Sequence, residues 1–321
     1  MNSINNKNRI ETRKREIAEI TNDLNSIKHL ANFEDATEIN LQFVRACRSR
    51  TTFLWWLLTH AARIRKQKDQ ILELADLPFP KWQKEIHLKF IQTERQKFID
   101  LLRSIRTEIL ASLDVINSEP VTLLSIGCAG MELERQLIEK LIRSGSSKRI
   151  IFIGVELNPT MAEIAPTNLA PLIDKSRLQF RTLSILDGTT LDDLKECSIS
   201  SQYVVALLNA NVFTLLEYLP AQTFDIAYHS MMKHHLTPDE KITLDEFLEK
   251  IATKVVEYDS LWSFPAVIAA SIFTWRRPSF LAATILSQFR GYTKKDLVSQ
   301  PQGWKCKFNK FGYYLRTYEI K

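Results

Sequence analysis

The residues of this chain best suited to chemistry stand at the ends of short apolar runs. Leu123-Leu124-Ser125-Ile126-Gly127-Cys128-Ala129-Gly130 reads as a strand entering a loop of small residues, and the stripe Leu133, Leu137, Leu141 beyond it is helical. Small residues let a ligand approach the backbone, and amides at the start of that helix would face an anion such as a carboxylate or a phosphate. The competing reading is packing, since a tight strand-to-helix turn needs small residues in any case. A second run ends at Val155-Glu156-Leu157-Asn158-Pro159. A carboxylate at the end of a neighbouring strand can accept both hydroxyls of a ribose. Asn158, with Pro159 in the first helical position, suits the capping of the next helix better, which leaves Glu156 for a ligand.

His229, His234 and His235 follow a further apolar run, Phe224 to Tyr228. A histidine there could act as general base, its alternative being a cap or packing role at a strand–helix junction. His229 is the first choice, because it ends the strand itself. A metal centre is not expected, since an adjacent His pair is poorly suited to chelating one ion and no acids cluster beside it. Leu261 to Phe280 adds Trp262, Phe264, Phe273, Trp275, Arg276, Arg277 and Phe280, either an apolar wall with two guanidinium groups for an acceptor or a core helix ending in solvated arginines.

Residues such as these need a scaffold, and glycine marks where it changes. All eight glycines lie at or after Gly127, and the first 77 residues contain neither Gly nor Pro. Ile10, Ile17, Ile20, Leu24, Ile27 and Ala31 fall on one stripe of an amphipathic helix. A second helix around Phe53 to Ile64 is apolar on most sides, Pro78 and Pro80 break the chain, and a long helix is expected from Trp82 to Leu113 with Ile91, Phe98, Leu102, Ile105 and Ile109 on one face. Strands are expected at 121–126, 150–155, 178–182, 224–228 and 254–258, with helices between them. At the end, 304–308 and 313–319 flank Asn309-Lys310-Phe311-Gly312 as an antiparallel hairpin.

At 321 residues, with 45% hydrophobic and 25% charged residues, the chain has room for two domains and is neither disordered nor collagen-like. The expected division is a helical domain over 1–116 and an α/β domain over 117–321. Residues 1–115 hold 20 Lys+Arg against 15 Asp+Glu, leaving 23 against 22 for the rest, so the surplus of positive charge sits in front. Those charges are interleaved with acids, which favours a solvated helical face over a nucleic-acid surface. No stretch reads as a transmembrane span: 197–216 is interrupted by Ser, Gln and Asn, and 260–275 is short and broken by Pro. Met1 to Arg15 lacks an apolar signal core, and Cys47, Cys128, Cys197 and Cys306 form no disulfide or metal spacing, so a reducing, cytoplasmic setting is expected.

Taken in order, these features resemble the class I S-adenosylmethionine-dependent methyltransferase superfamily over residues 120–321. Ser125-Ile126-Gly127-Cys128-Ala129-Gly130 looks like its first motif, Glu156 like the acid that holds the adenosine ribose, and Phe224-Asp225-Ile226-Ala227-Tyr228-His229-Ser230 with Lys233-His234-His235-Leu236 like its fourth strand and the His-Leu stretch after it. The resemblance implies an α/β fold, a Rossmann-like sheet with an antiparallel C-terminal hairpin preceded by an all-α N-terminal domain. It implies S-adenosylmethionine as cofactor, held by Ser125, Gly127, Ala129, Gly130, Glu156, Leu157, Ser184, Ile185 and Asp187. The chain departs from the family in having Ser125 and Ser184 where acids are common, with Asp187 as substitute, and in lacking the Pro-Gly-Gly turn before the fifth strand. A nicotinamide site would require a G-x-G-x-x-G loop, which is absent.

The implied activity is methyl transfer to oxygen or nitrogen of a small-molecule or peptide acceptor, an in-line displacement in which the protein aligns the partners and excludes water. RNA methylation is the alternative enzyme, and a non-catalytic binding module on the same fold the alternative of another class. An acceptor hydroxyl would use one of His229, His234 and His235 as base, whereas a carboxylate or amine would not need one.

Overall fold

The computed structural model describes residues 2–28, 34–66, 79, 81–82, 84–85, 102–173, 178–215, 218–275, 278–298, 303–309 and 312–320. Of the long helix expected from Trp82, the stretch 86–101 lies outside the described residues, as do Arg276 and Arg277.

One sheet of eight strands organises the chemistry. The strands are β1 (Val121–Ile126), β2 (Ile150–Glu156), β3 (Leu178–Leu183), β4 (Tyr203–Asn209), β5 (Phe224–Ser230), β6 (Ala252–Ser260), β7 (Lys305–Phe308) and β8 (Tyr313–Glu319). They run in the order β3-β4-β2-β1-β5-β6-β8-β7. The pairs from β3 to β6 are parallel, and β7 pairs with β8 antiparallel. This is the Rossmann-like sheet with a C-terminal antiparallel hairpin that the motifs implied.

Alternation along each strand gives the sheet two apolar faces. Leu123, Phe152, Val205, Ile226 and Val256 pack on one side with Ile105 and Ile109 of the helix Arg103–Val115 and Leu133 and Leu137 of the helix Glu132–Arg143. Leu124, Ile151, Val204, Ala227 and Val255 pack on the other with Leu191 and Leu194 of the helix Gly188–Ser200 and Leu244, Phe247 and Leu248 of the helix Pro238–Ile251. Strands covered on both faces are apolar throughout, which is why β1 and β2 are buried end to end.

β4 is the element the sequence reading missed. Tyr203-Val204-Val205-Ala206-Leu207-Leu208 is a continuous apolar run without alternation, and in sequence it stands out only as part of the interrupted apolar stretch 197–216. It takes the place beside β2 and pushes Leu178–Leu183 to the outer edge of the sheet, where that strand is half exposed.

The chain divides into two compact units, one of Met1–Leu88, Ser260–Leu297 and Lys310–Gly312, the other of Lys89–Asp259, Val298–Asn309 and Tyr313–Lys321. The first therefore differs from a helical domain ending at 116: it gains the helices Phe264–Thr274 and Pro278–Arg290 and does without Arg103–Val115. The reason is packing. Val267, Leu281, Ile285 and Phe289 share a core with Ile17, Ile20, Leu24, Phe43, Phe53 and Leu57. Glu16 accepts hydrogen bonds from the Ser279 amide and hydroxyl at the start of a helix, and the Arg13 guanidinium lies 4.1 Å from the centre of the Trp275 ring. Ile10, expected on the buried stripe, is exposed.

Candidate active site

In a parallel sheet the ligand crevice opens at the carboxyl ends of the strands where the winding reverses. Here the chain goes from β1 to β2 and on toward β3 on one side, then returns with β5 to the other side of β1. The loops after β1 and β5 consequently meet at one edge.

The loop after β1 is held by its neighbour. The Gly127 and Cys128 amides both donate to the Val155 carbonyl, at 2.8 and 3.3 Å. Gly127 has φ +61°, and a Cβ on it would stand 2.5 Å from Cγ of Met232 in the loop after β5, so no larger residue fits. Ala129 and Met131 are also left-handed, at φ 46° and 57°, and Met131 begins the helix Glu132–Arg143 without a side-chain cap. The amides of that helix start thus keep no side-chain acceptor of their own.

Glu156, at the end of β2, spans this loop and its own strand end. Its Oε2 accepts from the Ala129 amide at 2.7 Å and its Oε1 from the Asn158 amide at 2.8 Å. Burial raises its carboxyl above the usual range, against those two amides and the nearby His235. Asn158 caps the following turn, accepting from Thr160 and Met161, with Pro159 at the first helical position. Leu157 between them is exposed.

β4 delivers a side chain absent from the sequence reading. Asn209 Nδ2 donates to the carbonyls of Glu156 and Leu157 at 2.6 and 3.2 Å, and the Ala210 amide donates to Glu156 at 3.1 Å. Asn209 and Ala210 therefore lie beside Glu156, at the head of the segment 209–213. Ser184, Ile185 and Asp187 do not: they follow β3, which β4 separates from β2. Ser184 and Ile185 are exposed there. Asp187 caps the helix Gly188–Ser200, accepting from the Thr190 amide and hydroxyl, and those bonds lower its pKa. The segment beside Glu156 is the one that follows β4, the strand adjacent to β2.

The three histidines have three different surroundings. His229 is fully buried, opposite Ile126 and Glu257 in the sheet. Neither ring nitrogen has a hydrogen-bond partner, and the closest carboxylate oxygen, of Glu257, is 3.7 Å from Nε2. Burial lowers its pKa and keeps it neutral, despite Glu257. Glu257 itself is held low by Arg316 and Lys233 against its own burial, and also accepts from the Tyr314 hydroxyl. His229 thus stands at the carboxyl end of β5 but is sealed from solvent beside a buried ionic network.

His234 lies one turn further on, in the short 3-10 turn Lys233–His235. Asp259, at the end of β6, receives its Nδ1 through one oxygen and its backbone amide through the other, the latter at 3.1 Å. His235 packs against it with ring centroids 4.2 Å apart and is electrostatically close to Glu156. An imidazole fixed at Nδ1 by a carboxylate has its other nitrogen set as the basic one, and the carboxylate stabilises the imidazolium that forms. Asp259 is a second residue that sequence reading missed. The signal was there, since Glu257 and Asp259 are two acids two positions apart, on one side of a strand whose neighbouring residues are Val255, Val256 and Tyr258.

Among the described residues no group of three or more His, Cys, Asp or Glu could hold a metal ion, and the four cysteines are free thiols. No described helix is long and apolar enough to cross a membrane.

No model of a known protein family matches the chain, and no curated protein matches it. Among solved structures it is similar to the pyocyanin biosynthetic protein PhzM, at 13% identity and TM-score 0.47 over 91% of this chain and 74% of that one. It is similar to the plantazolicin methyltransferase BpumL at 10% identity and TM-score 0.42, over 90% of this chain and all of that one. Its similarity to the small RNA methyltransferase HEN1 has 15% identity and TM-score 0.41, and spans 67% of this chain and a quarter of that one.

Proposed function

We propose that this protein is an S-adenosylmethionine-dependent methyltransferase that modifies an oxygen or nitrogen of a small-molecule or peptide acceptor. The observation that carries the reading is the pairing of two features at one sheet edge: a carboxylate clamped against a small-residue loop, and a histidine oriented by a carboxylate. The residues present fit the cofactor. The start of the helix Glu132–Arg143 offers amides to a carboxylate, and Glu156, at the carboxyl end of β2, offers its carboxylate to a ribose diol. Leu157 and the segment 209–213, rather than 184–187, are the candidates to flank the base.

S-adenosylmethionine, when bound, supplies an electrophilic methyl group on a sulfonium. The chain's own task is then to align the acceptor, exclude water and receive a proton. His234 is the base in this reading: Asp259 orients its ring and offsets the charge it gains. His235 bridges the base and the ribose acid. The fully buried His229 is a structural group. A cytoplasmic setting accords with the four free thiols.

The decisive experiment is calorimetric titration with S-adenosylmethionine and S-adenosylhomocysteine, followed by transfer of labelled methyl to panels of phenols, carboxylic acids and amino-terminal peptides. Binding in the micromolar range and labelling of one panel are the expected results. A folded protein that binds neither compound refutes the assignment.

A further inference from the structure

Glu134 is an ionisable group with no part in the chemistry above, and burial raises its carboxyl above the usual range. It stands in the first turn of the helix Glu132–Arg143, and its carboxylate is buried against the face of β1 and β5 that carries Ser125 and Tyr228. Those two residues lie opposite each other in the sheet. Oε1 accepts from the Tyr228 hydroxyl at 2.8 Å, and the Ser125 hydroxyl also faces the carboxylate. Oε2, equally buried, receives no hydrogen bond. The neighbouring cation, Arg135, is engaged by Glu132 and Glu139.

A buried carboxylate oxygen without a donor is costly and calls for a partner. Its position narrows the choice. The small-residue loop donates its Ala129 amide to Glu156 at 2.7 Å and runs through Met131 directly into the first turn that carries Glu134, so the two acids stand at its two sides. A ligand whose diol meets Glu156 would present its other end toward Glu134. We propose that Glu134 receives the cationic amino group of the cofactor's amino-acid arm, an acid supplied by the helix where the strand offers only Ser125. This inference rests on the methyltransferase reading.

The test uses two ligands that differ in that group. S-adenosylhomocysteine carries the ammonium, and 5′-methylthioadenosine keeps the adenosine and sulfur but lacks it. In calorimetric titrations of the full chain, Glu134→Gln is expected to lose tenfold or more in affinity for S-adenosylhomocysteine while staying within twofold of wild type for methylthioadenosine. Glutamine still accepts from Tyr228, which preserves the fold. If it fails to fold, Glu134→Asp, which retracts the charge by one methylene, is expected to give the same selective loss. An equal loss for both ligands would identify a structural carboxylate and overturn the proposal, as would unchanged affinity for S-adenosylhomocysteine. Wild-type protein that binds neither ligand would instead bring down the cofactor reading itself.

Discussion

His234 and Asp259 divide one task between two strand ends, and each has its own expected phenotype. Replacing His234 by Ala should lower the methylation rate of a hydroxyl acceptor by about two to four orders of magnitude with little change in S-adenosylhomocysteine affinity. Asp259→Asn should leave the ring in place and remove the charge behind it, lowering the rate with a hydroxyl acceptor at unchanged S-adenosylhomocysteine affinity. Rates unaffected in both variants would shift the assignment to an acceptor already nucleophilic in water. Glu156→Ala should weaken S-adenosylhomocysteine binding by about 1–3 kcal/mol, and unchanged affinity in the folded variant would remove Glu156 from the site. His229 makes a different prediction. The unfolded chain takes up a proton at about pH 6.5, whereas the buried, neutral ring resists it beside Lys233, Glu257, Asp245 and Asp259, so acid favours unfolding. The stabilising contribution is present above that pH and is lost as the pH falls toward the lowered pKa of the folded state. Thermal melts should therefore show wild type losing stability on acidification more steeply than His229→Leu.

At the scale of elements, the loop after β1 depends on one backbone position. Gly127→Ala forces a side chain into a left-handed conformation and against Met232, and should destabilise the protein by about 1–2 kcal/mol in denaturant titration. A neutral outcome would mean that the loop relaxes freely. The sequence displayed this loop well, because a strand pattern running into small residues leaves a local trace. It displayed the segment beside Glu156 badly. Leu178–Leu183 carries the alternation of an exposed-edge strand and is easily recognised, while Tyr203–Asn209, uniformly apolar, carries no period at all. The assignment of Ser184, Ile185 and Asp187 followed the legible strand, and the sheet put the illegible one next to Glu156.

For the whole molecule, the interleaving of the two units governs what can be cut away. A chain beginning at Glu119 would retain Phe264–Thr274 and Pro278–Arg290 without the N-terminal helices on which Val267, Leu281, Ile285 and Phe289 are buried. Such a fragment is expected to aggregate, with light scattering as the measure. Adding residues 1–116 as a separate chain should reduce that scattering. A fragment that is monomeric alone would show that these helices need no N-terminal cover. Trp262 and Trp275, readable in sequence as an acceptor wall or as core, pack half-buried against the core of the first unit, where Trp262 lies on Phe289 and Trp275 carries Arg13.

The sequence by itself determined what depends on neighbours along the chain: the α/β alternation, the small-residue loop, the Asn158 cap with Pro159, the placing of Glu156 at a strand end, and the closing hairpin. Local periodicity and turn chemistry act over a few residues and can be read there. Only the tertiary structure decided which strand lies beside β2, that His229 is sealed off while His234 meets Asp259, and that Glu134 reaches the position where Ser125 brings no acid. These are pairings across dozens of residues, set by sheet order and burial, and no spacing in the chain encodes them.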